Sequence, residues 1–136
     1  MNTEIISKEN LSAQKVADIF SSAFFNVVKD DSDYYVQDNY KIWFSVDEQQ
    51  NRFIKIETGI IKNDRASELQ ILQAVNQMNL EYLMITTSYT GKSVKFQYYL
   101  WVEGGIATAD LILAFRFFTR VLNNLIEELS TLNVLS

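Results

Sequence analysis

The pair Gly91-Lys92 separates two runs of strand-forming residues, 82–90 and 93–101. A two-residue link between such runs is a β-hairpin turn, and it leaves a single register: Thr90 faces Ser93 and every later pair follows. One face then carries Tyr89/Val94, Thr87/Phe96, Ile85/Tyr98 and Leu83/Leu100, and is read as the core face. The other carries Ser88/Lys95, Thr86/Gln97, Met84/Tyr99 and Tyr82/Trp101. It is polar near the turn but apolar and aromatic at the base, where a solvated sheet is polar. Lone monomers seldom expose large apolar patches. Tyr82, Met84, Tyr99 and Trp101 are therefore candidate partner-binding residues, covered by a second subunit or a client. The bland alternative is that the first helix or a terminal segment covers them within the monomer.

Before this hairpin, Ser12 is a good helix N-cap, and Leu11 can staple onto Val16. Val16, Ile19, Phe20 and Ala23 follow at helical spacing, which predicts a helix ending near Ala23. From Phe24 the period changes to two, predicting strands Phe25–Val28, Tyr34–Gln37, Tyr40–Val46 and Phe53–Ile60. They are joined by an Asp38-Asn39 turn and an Asp47–Asn51 loop. Strands linked so closely are antiparallel. A second helix is expected over Ala66–Met78, with Ser67 and Gln70 as a capping box, Asp64 as the rival cap and Asn79 as the left-handed residue that ends it. Ile71, Ala74, Val75 and Met78 form its buried face.

After Gly104-Gly105, Thr108 caps a long helix to about Leu132. Leu111, Phe115, Phe118, Leu122, Leu125, Leu129 and Leu132 make a seam spaced alternately four and three. That spacing suits a coiled coil. Ala114, Val121 and Ile126 widen the stripe, which favours packing across a sheet. Leu113 and Phe117 stand apart from the stripe, towards the charged face carrying Arg116, Arg120 and Glu127. They are a second pair of candidate partner-binding residues, packed on their two-fold mates or under a folded-back loop. The whole reads as one α+β domain over residues 1–136, an antiparallel sheet with helices mainly on one face in the order α-β-β-β(β)-α-β-β-α.

Composition narrows the chemistry. The chain has no His and no Cys, so the usual neutral-pH base, the thiolate nucleophile and the common zinc ligands are missing. No catalytic, metal or cofactor site is expected, and the protein reads as non-enzymatic. Its net charge of −5 and scattered basic residues argue against nucleic acid. Met1–Asn10 lacks the charge and apolar run of a signal peptide, and no stretch is long enough to span a bilayer. A cytoplasmic protein with no membrane association is expected.

Several motifs imitate sites. Thr90-Gly91-Lys92-Ser93 ends like a phosphate-binding loop, but Thr86 stands where its first glycine belongs and a strand follows instead of a helix. Asp30, Asp31 and Asp33 lack the glycine and glutamate of a calcium loop and read as a solvated turn. Gly104-Gly105 reads as a flexible joint, with anion binding at the following helix as the alternative. Asn76 and Asn79 read as capping residues.

Three passages carry a resemblance. Leu72-Gln-Ala-Val75-Asn76-Gln-Met-Asn79 is similar to a "VN-x-x-N" helix end, the Tyr82–Trp101 hairpin follows it, and Glu103-Gly104-Gly105-Ile106-Ala107-Thr108 leads into a phenylalanine-rich last helix. Together with the element order they resemble the YbjN family of bacterial proteins, which has a type III secretion chaperone-like fold. The resemblance implies an α-β-β-β-α-β-β-α sandwich that often dimerises, a candidate role as a sensory-transduction regulator, and no shared catalytic residue or cofactor. The expected function is a protein-interaction module, a homodimer binding a protein client or regulatory partner. The alternative is a small-ligand sensor with a pocket between the sheet and the last helix.

Overall fold

The computed structural model describes residues 4–136. The first three residues of the N-terminal stretch discussed above lie outside the described residues. Eight strands and three helices follow one another: β1 (Ile5–Ile6), α1 (Ala13–Ser22), β2 (Val27–Asp30), β3 (Asp33–Gln37), β4 (Lys41–Val46), β5 (Phe53–Ile61), α2 (Glu68–Glu81), β6 (Thr86–Tyr89), β7 (Ser93–Trp101), β8 (Ile106–Ala107) and α3 (Thr108–Thr131). Strands β2 to β7 form a six-stranded antiparallel sheet in the order β2-β3-β4-β5-β7-β6. This is the expected α+β architecture. The two-residue strands β1 and β8 pair with each other in a small second sheet that the sequence reading missed. Gly105 makes that pairing possible: its φ is +90°, and a Cβ there would meet Ile5 Cγ2 at 3.1 Å.

The described chain divides into two compact units, one of residues up to Ile56 with Tyr99–Arg116, the other of Glu57–Tyr98 with Phe117–Ser136. In the first, Ser12 caps α1 by accepting from the Lys15 N–H at 3.0 Å. The other end of α1 is a Schellman closure: the Phe25 N–H donates to the Phe20 carbonyl and the Phe24 N–H to that of Ser21, both at 3.0 Å. The rings of Phe20 and Phe25 meet edge to face at 5.5 Å, supplying the hydrophobic contact of that motif. Because the closure uses Phe24 and Phe25, β2 starts at Val27, two residues later than expected. Phe20 also touches Phe44 and Phe115, and these rings form the centre of the unit's core.

The β3–β4 link is one residue longer than expected. Gln37 faces Lys41, so Asp38–Tyr40 is a three-residue turn. The reason lies in the core: this register opposes Val36 to Ile42 and Tyr34 to Phe44, all four buried. A two-residue turn would have set Lys41 on the core face.

In the second unit both arms of the Ser67/Gln70 capping box are made, at 2.8 and 3.1 Å. Asp64 is not the cap. Helix α2 runs past Asn79 to Glu81, so Asn79 does not end it. Its side chain reaches the edge strand β6 instead, accepting from the Thr87 N–H and donating to the Thr87 carbonyl, both at 2.8 Å. The hairpin register is the expected one from Tyr89↔Val94 to Thr86↔Gln97. It stops there, and Leu83, expected in the core, is 86% exposed. Within this unit Phe118 of α3 stacks on Tyr98 at 6.3 Å. The α3 seam from Leu111 to Leu129 is buried within the chain, so it is a core face and not a coiled-coil seam; only Leu132 is exposed. Beyond α3 the chain returns to the sheet, with Lys62 bridged to Leu135 and the Ser136 N–H donating to the Ile61 carbonyl at 2.8 Å.

Candidate interaction surface

In the first unit, strand alternation sends Tyr34, Val36, Ile42, Phe44, Ile54 and Ile56 inward and their neighbours to the opposite, open face. On that face Tyr35 of β3 lies opposite Trp43 of β4, their rings 4.8 Å apart, and Lys41 Nζ sits 5.0 Å from the Tyr35 ring. Val28 of β2 faces Tyr35 from the other side. Phe53 of β5 meets two β7 rings edge to face, Tyr99 at 5.4 Å and Trp101 at 5.6 Å.

Arg52 is placed beside this second cluster. Its carbonyl accepts from the Val102 N–H at 2.8 Å, and its guanidinium lies 5.6 Å from the Trp101 ring and 6.0 Å from that of Phe53. Asp47, buried in the loop after β4, accepts from Arg52 Nε at 2.9 Å. That hydrogen bond, which outweighs the cost of desolvation, holds the Asp47 carboxyl below the ordinary carboxylate range. The ion pair orients the guanidinium over the rings. The rings themselves stay accessible: Trp101 is 58% and Tyr99 47% exposed, while Tyr35, Trp43 and Phe53 are half-buried.

The six residues singled out from the sequence are thus only partly brought together. Tyr99 and Trp101 lie on the open face. Tyr82 does not; it closes the end of α2, half-buried, and its hydroxyl donates to Glu128 Oε1 at 2.5 Å. That bond, with burial and the nearby carboxylates, pushes the phenol up to about 12. Met84 is exposed in the link between α2 and β6, outside the ladder that was to pair it with Tyr99. The expectation of Met84/Tyr99 and Tyr82/Trp101 pairs is corrected because α2 extends three residues further than its apolar periodicity marked. Leu113 is 60% exposed on α3, and Phe117 is half-buried under Arg120, whose guanidinium lies 5.8 Å from its ring.

Phe53, Tyr35 and Trp43 were missed as surface residues. The signal was available in Phe53-Ile54-Lys55-Ile56, where two buried isoleucines assign their neighbours to the other face. Phe24 was missed as well. It takes φ +69° at the Schellman position where glycine is usual, and its side chain is 96% exposed.

Two hollows are each lined by residues of a single unit. One of 330 Å³ in the first unit is lined by Glu4, Lys15, Ile19, Ala23, Thr108 and Ile112, and its lysine is ion-paired with Glu4. The other, 370 Å³ in the second unit, is lined by Tyr82, Asn124, Glu127, Glu128 and Thr131. No strand residue lines either of these two hollows. Among the described residues no helix is long and apolar enough to cross a membrane. The loop resembling a phosphate site is the hairpin turn, with Gly91 at φ +93°, and Asp31 takes φ +57° in the acidic β2–β3 turn.

The class is that of a YbjN-like α+β fold. The chain is similar to the crystal structure of YbjN from E. coli, a candidate transcription regulator, at 9% identity over 90% of this chain and 94% of that one, with a TM-score of 0.78. It is also similar to an uncharacterized protein from Methanothermobacter thermautotrophicus, at 12% identity over 90% of this chain and 99% of that one, with a TM-score of 0.65. No family model and no curated protein matches the sequence.

Proposed function

We propose that the protein is a non-enzymatic interaction module, a YbjN-like regulator or chaperone-like protein that holds a protein partner on the open face of its sheet. The observation that carries this reading is the set of five aromatic side chains on that face, two of them about half exposed, with an oriented arginine beside Phe53 and Trp101. Aromatic residues and arginine are the side chains that dominate protein–protein binding energy. The similarity in fold to a candidate transcription regulator agrees with a regulatory role, although fold alone does not carry function. Affinity capture from the native cell tests the reading, with wild-type protein beside Trp101→Glu. A protein retained by the wild type and lost by the folded variant supports it. Equal capture by both removes the open face from the mechanism.

A second reading, self-association, rests on the exposure of Leu113. Sedimentation of the wild type and of Leu113→Lys checks it: a dimer that becomes a folded monomer supports it, and a wild-type monomer sinks it.

A further inference from the structure

Helix α2 is apolar on two opposite faces. One packs inward through Ile71, Ala74, Val75 and Met78. The other carries Leu69, Leu72 and Leu80, which are 64%, 47% and 75% exposed. At about 100° per residue, these three and Asn76 share one quarter of the helix surface, opposite the buried face. Just past the helix, Leu83 and Met84 are exposed as well. The only charges on α2 are Glu68 and Glu81, its first and last residues. Residues 69–80 carry none, in a chain whose charged fraction is 21%. A helix that is apolar all round belongs in a buried position, covered on both sides. Asn76, read from the sequence as a capping residue, caps nothing. The helix continues to Glu81, and Asn76 sits exposed in the middle of the leucine stripe.

We infer that this outer face of α2 packs on the same face of a second copy, the two helices antiparallel about a two-fold axis at Asn76. The stripe is symmetric in sequence. Leu72 and Leu80 stand four residues either side of Asn76, and Leu69 and Leu83 stand seven. Antiparallel helices therefore set Leu72 of each copy against Leu80 of the other, and Asn76 against its own mate. Leu69 meets the exposed link that carries Leu83 and Met84. A two-fold interface requires such self-complementarity, and a helix of another protein has no reason to repeat these spacings. No like charges meet along residues 69–80, and the positive N-terminal end of each helix lies beside the negative C-terminal end of the other. A single Asn at the centre of an apolar seam fixes its register, as buried Asn does in paired helices. The four leucines leave roughly 500 Å² open on each copy; with Gln73, Asn76, Gln77 and Met84 the face approaches the ~800 Å² per partner of a stable interface. It belongs to the second unit, whereas Leu113 and the rings of the open sheet face belong to the first, so each reading can fail alone.

Sedimentation of the full chain and cysteine cross-linking test the pairing. The wild type is expected to be a dimer, and a Leu72→Glu, Leu80→Glu double variant to raise the dissociation constant about a hundred-fold or more. Leu113→Lys should leave the dimer intact. The chain has no cysteine, so Asn76→Cys places one thiol on the axis. Mild oxidation should then give a disulfide-linked dimer, since residues paired across the axis come within reach of that bond. Leu80→Cys alone should not cross-link, whereas Leu80→Cys mixed with Leu72→Cys should. A wild-type monomer overturns the inference, as does a dimer that the double variant keeps and Leu113→Lys loses. Asn76→Cys that cross-links no faster than Leu80→Cys also overturns it. That last result decides the matter if the double variant loses its native circular dichroism, because Asn76 is exposed and its replacement leaves the core untouched.

Discussion

The Tyr82 hydroxyl lies 2.5 Å from Glu128 Oε1, joining the last turn of α2 to α3 within the second unit. Its ordinary pKa of 10.0 is raised to about 12, so the folded state holds the phenolic proton more tightly than the unfolded chain. The stability this contributes is fully present below pH 10.0 and is lost as pH rises through about 12. Alkaline titration followed by tyrosinate absorbance is expected to show one late-titrating tyrosine, absent in Tyr82→Phe. Because the bond is partly solvated, that variant costs about 1 kcal/mol at neutral pH, measured by denaturant unfolding.

At the other end of the pH scale the group to follow is Asp47. Its carboxyl is held low chiefly by the Arg52 hydrogen bond. A lowered pKa gives stability that is present above the unfolded carboxylate value and is lost as pH falls through the folded one. Thermal melts of the wild type below about pH 4 should therefore decline more steeply than those of Asp47→Asn. Asp47→Asn should also disturb tryptophan emission, since Arg52 beside Trp101 loses its charged anchor.

Phe96 and Gln97 are neighbours on β7 with opposite fates. Phe96 is fully buried, whereas Gln97 is half-exposed and hydrogen-bonded to Glu57. Phe96→Ala should cost ~3–5 kcal/mol. Gln97→Ala should cost less than about 1 kcal/mol. Urea unfolding measures both, and similar losses would contradict the register.

Phe24→Gly is expected to leave stability unchanged or raise it by up to about 1 kcal/mol, since glycine relieves the left-handed strain while adding freedom to the unfolded chain. A loss of ~2 kcal/mol or more, read from the melting midpoint, would mean that the exposed ring is covered in solution.

How far the sequence revealed this molecule depended on how local each decision was. The Gly91-Lys92 register and the Ser67/Gln70 box involve residues a few positions apart, and their chemistry leaves little choice. Tyr82 was misplaced because Tyr82-Leu83-Met84-Ile85 is apolar throughout and has no period to separate strand from helix end. The contact of Phe53 with Trp101 was out of reach for a different reason. It depends on β5 and β7 lying side by side although α2 and β6 come between them in the chain. Of the five rings of the candidate surface, Tyr99 and Trp101 were therefore visible, and Tyr35, Trp43 and Phe53 were not. Phe24 carries no mark in the sequence that foretells a positive φ.

The hydrogen bonds from Asn79 to Thr87 bear on whether molecules of this protein can join end to end. Strand β6 is one of the two outer strands of the six-stranded sheet, and the Asn79 amide occupies the hydrogen-bonding groups of Thr87 as an incoming strand would. At Thr87 this outer edge is thereby closed to another strand, which hinders growth through both outer strands of the sheet. Removing the amide, as in Asn79→Ala, would supply the second side that open-ended growth requires. On heating at high concentration that variant should form thioflavin-positive fibres before the wild type does. Equal rates would mean that β6 is shielded by something other than this one side chain.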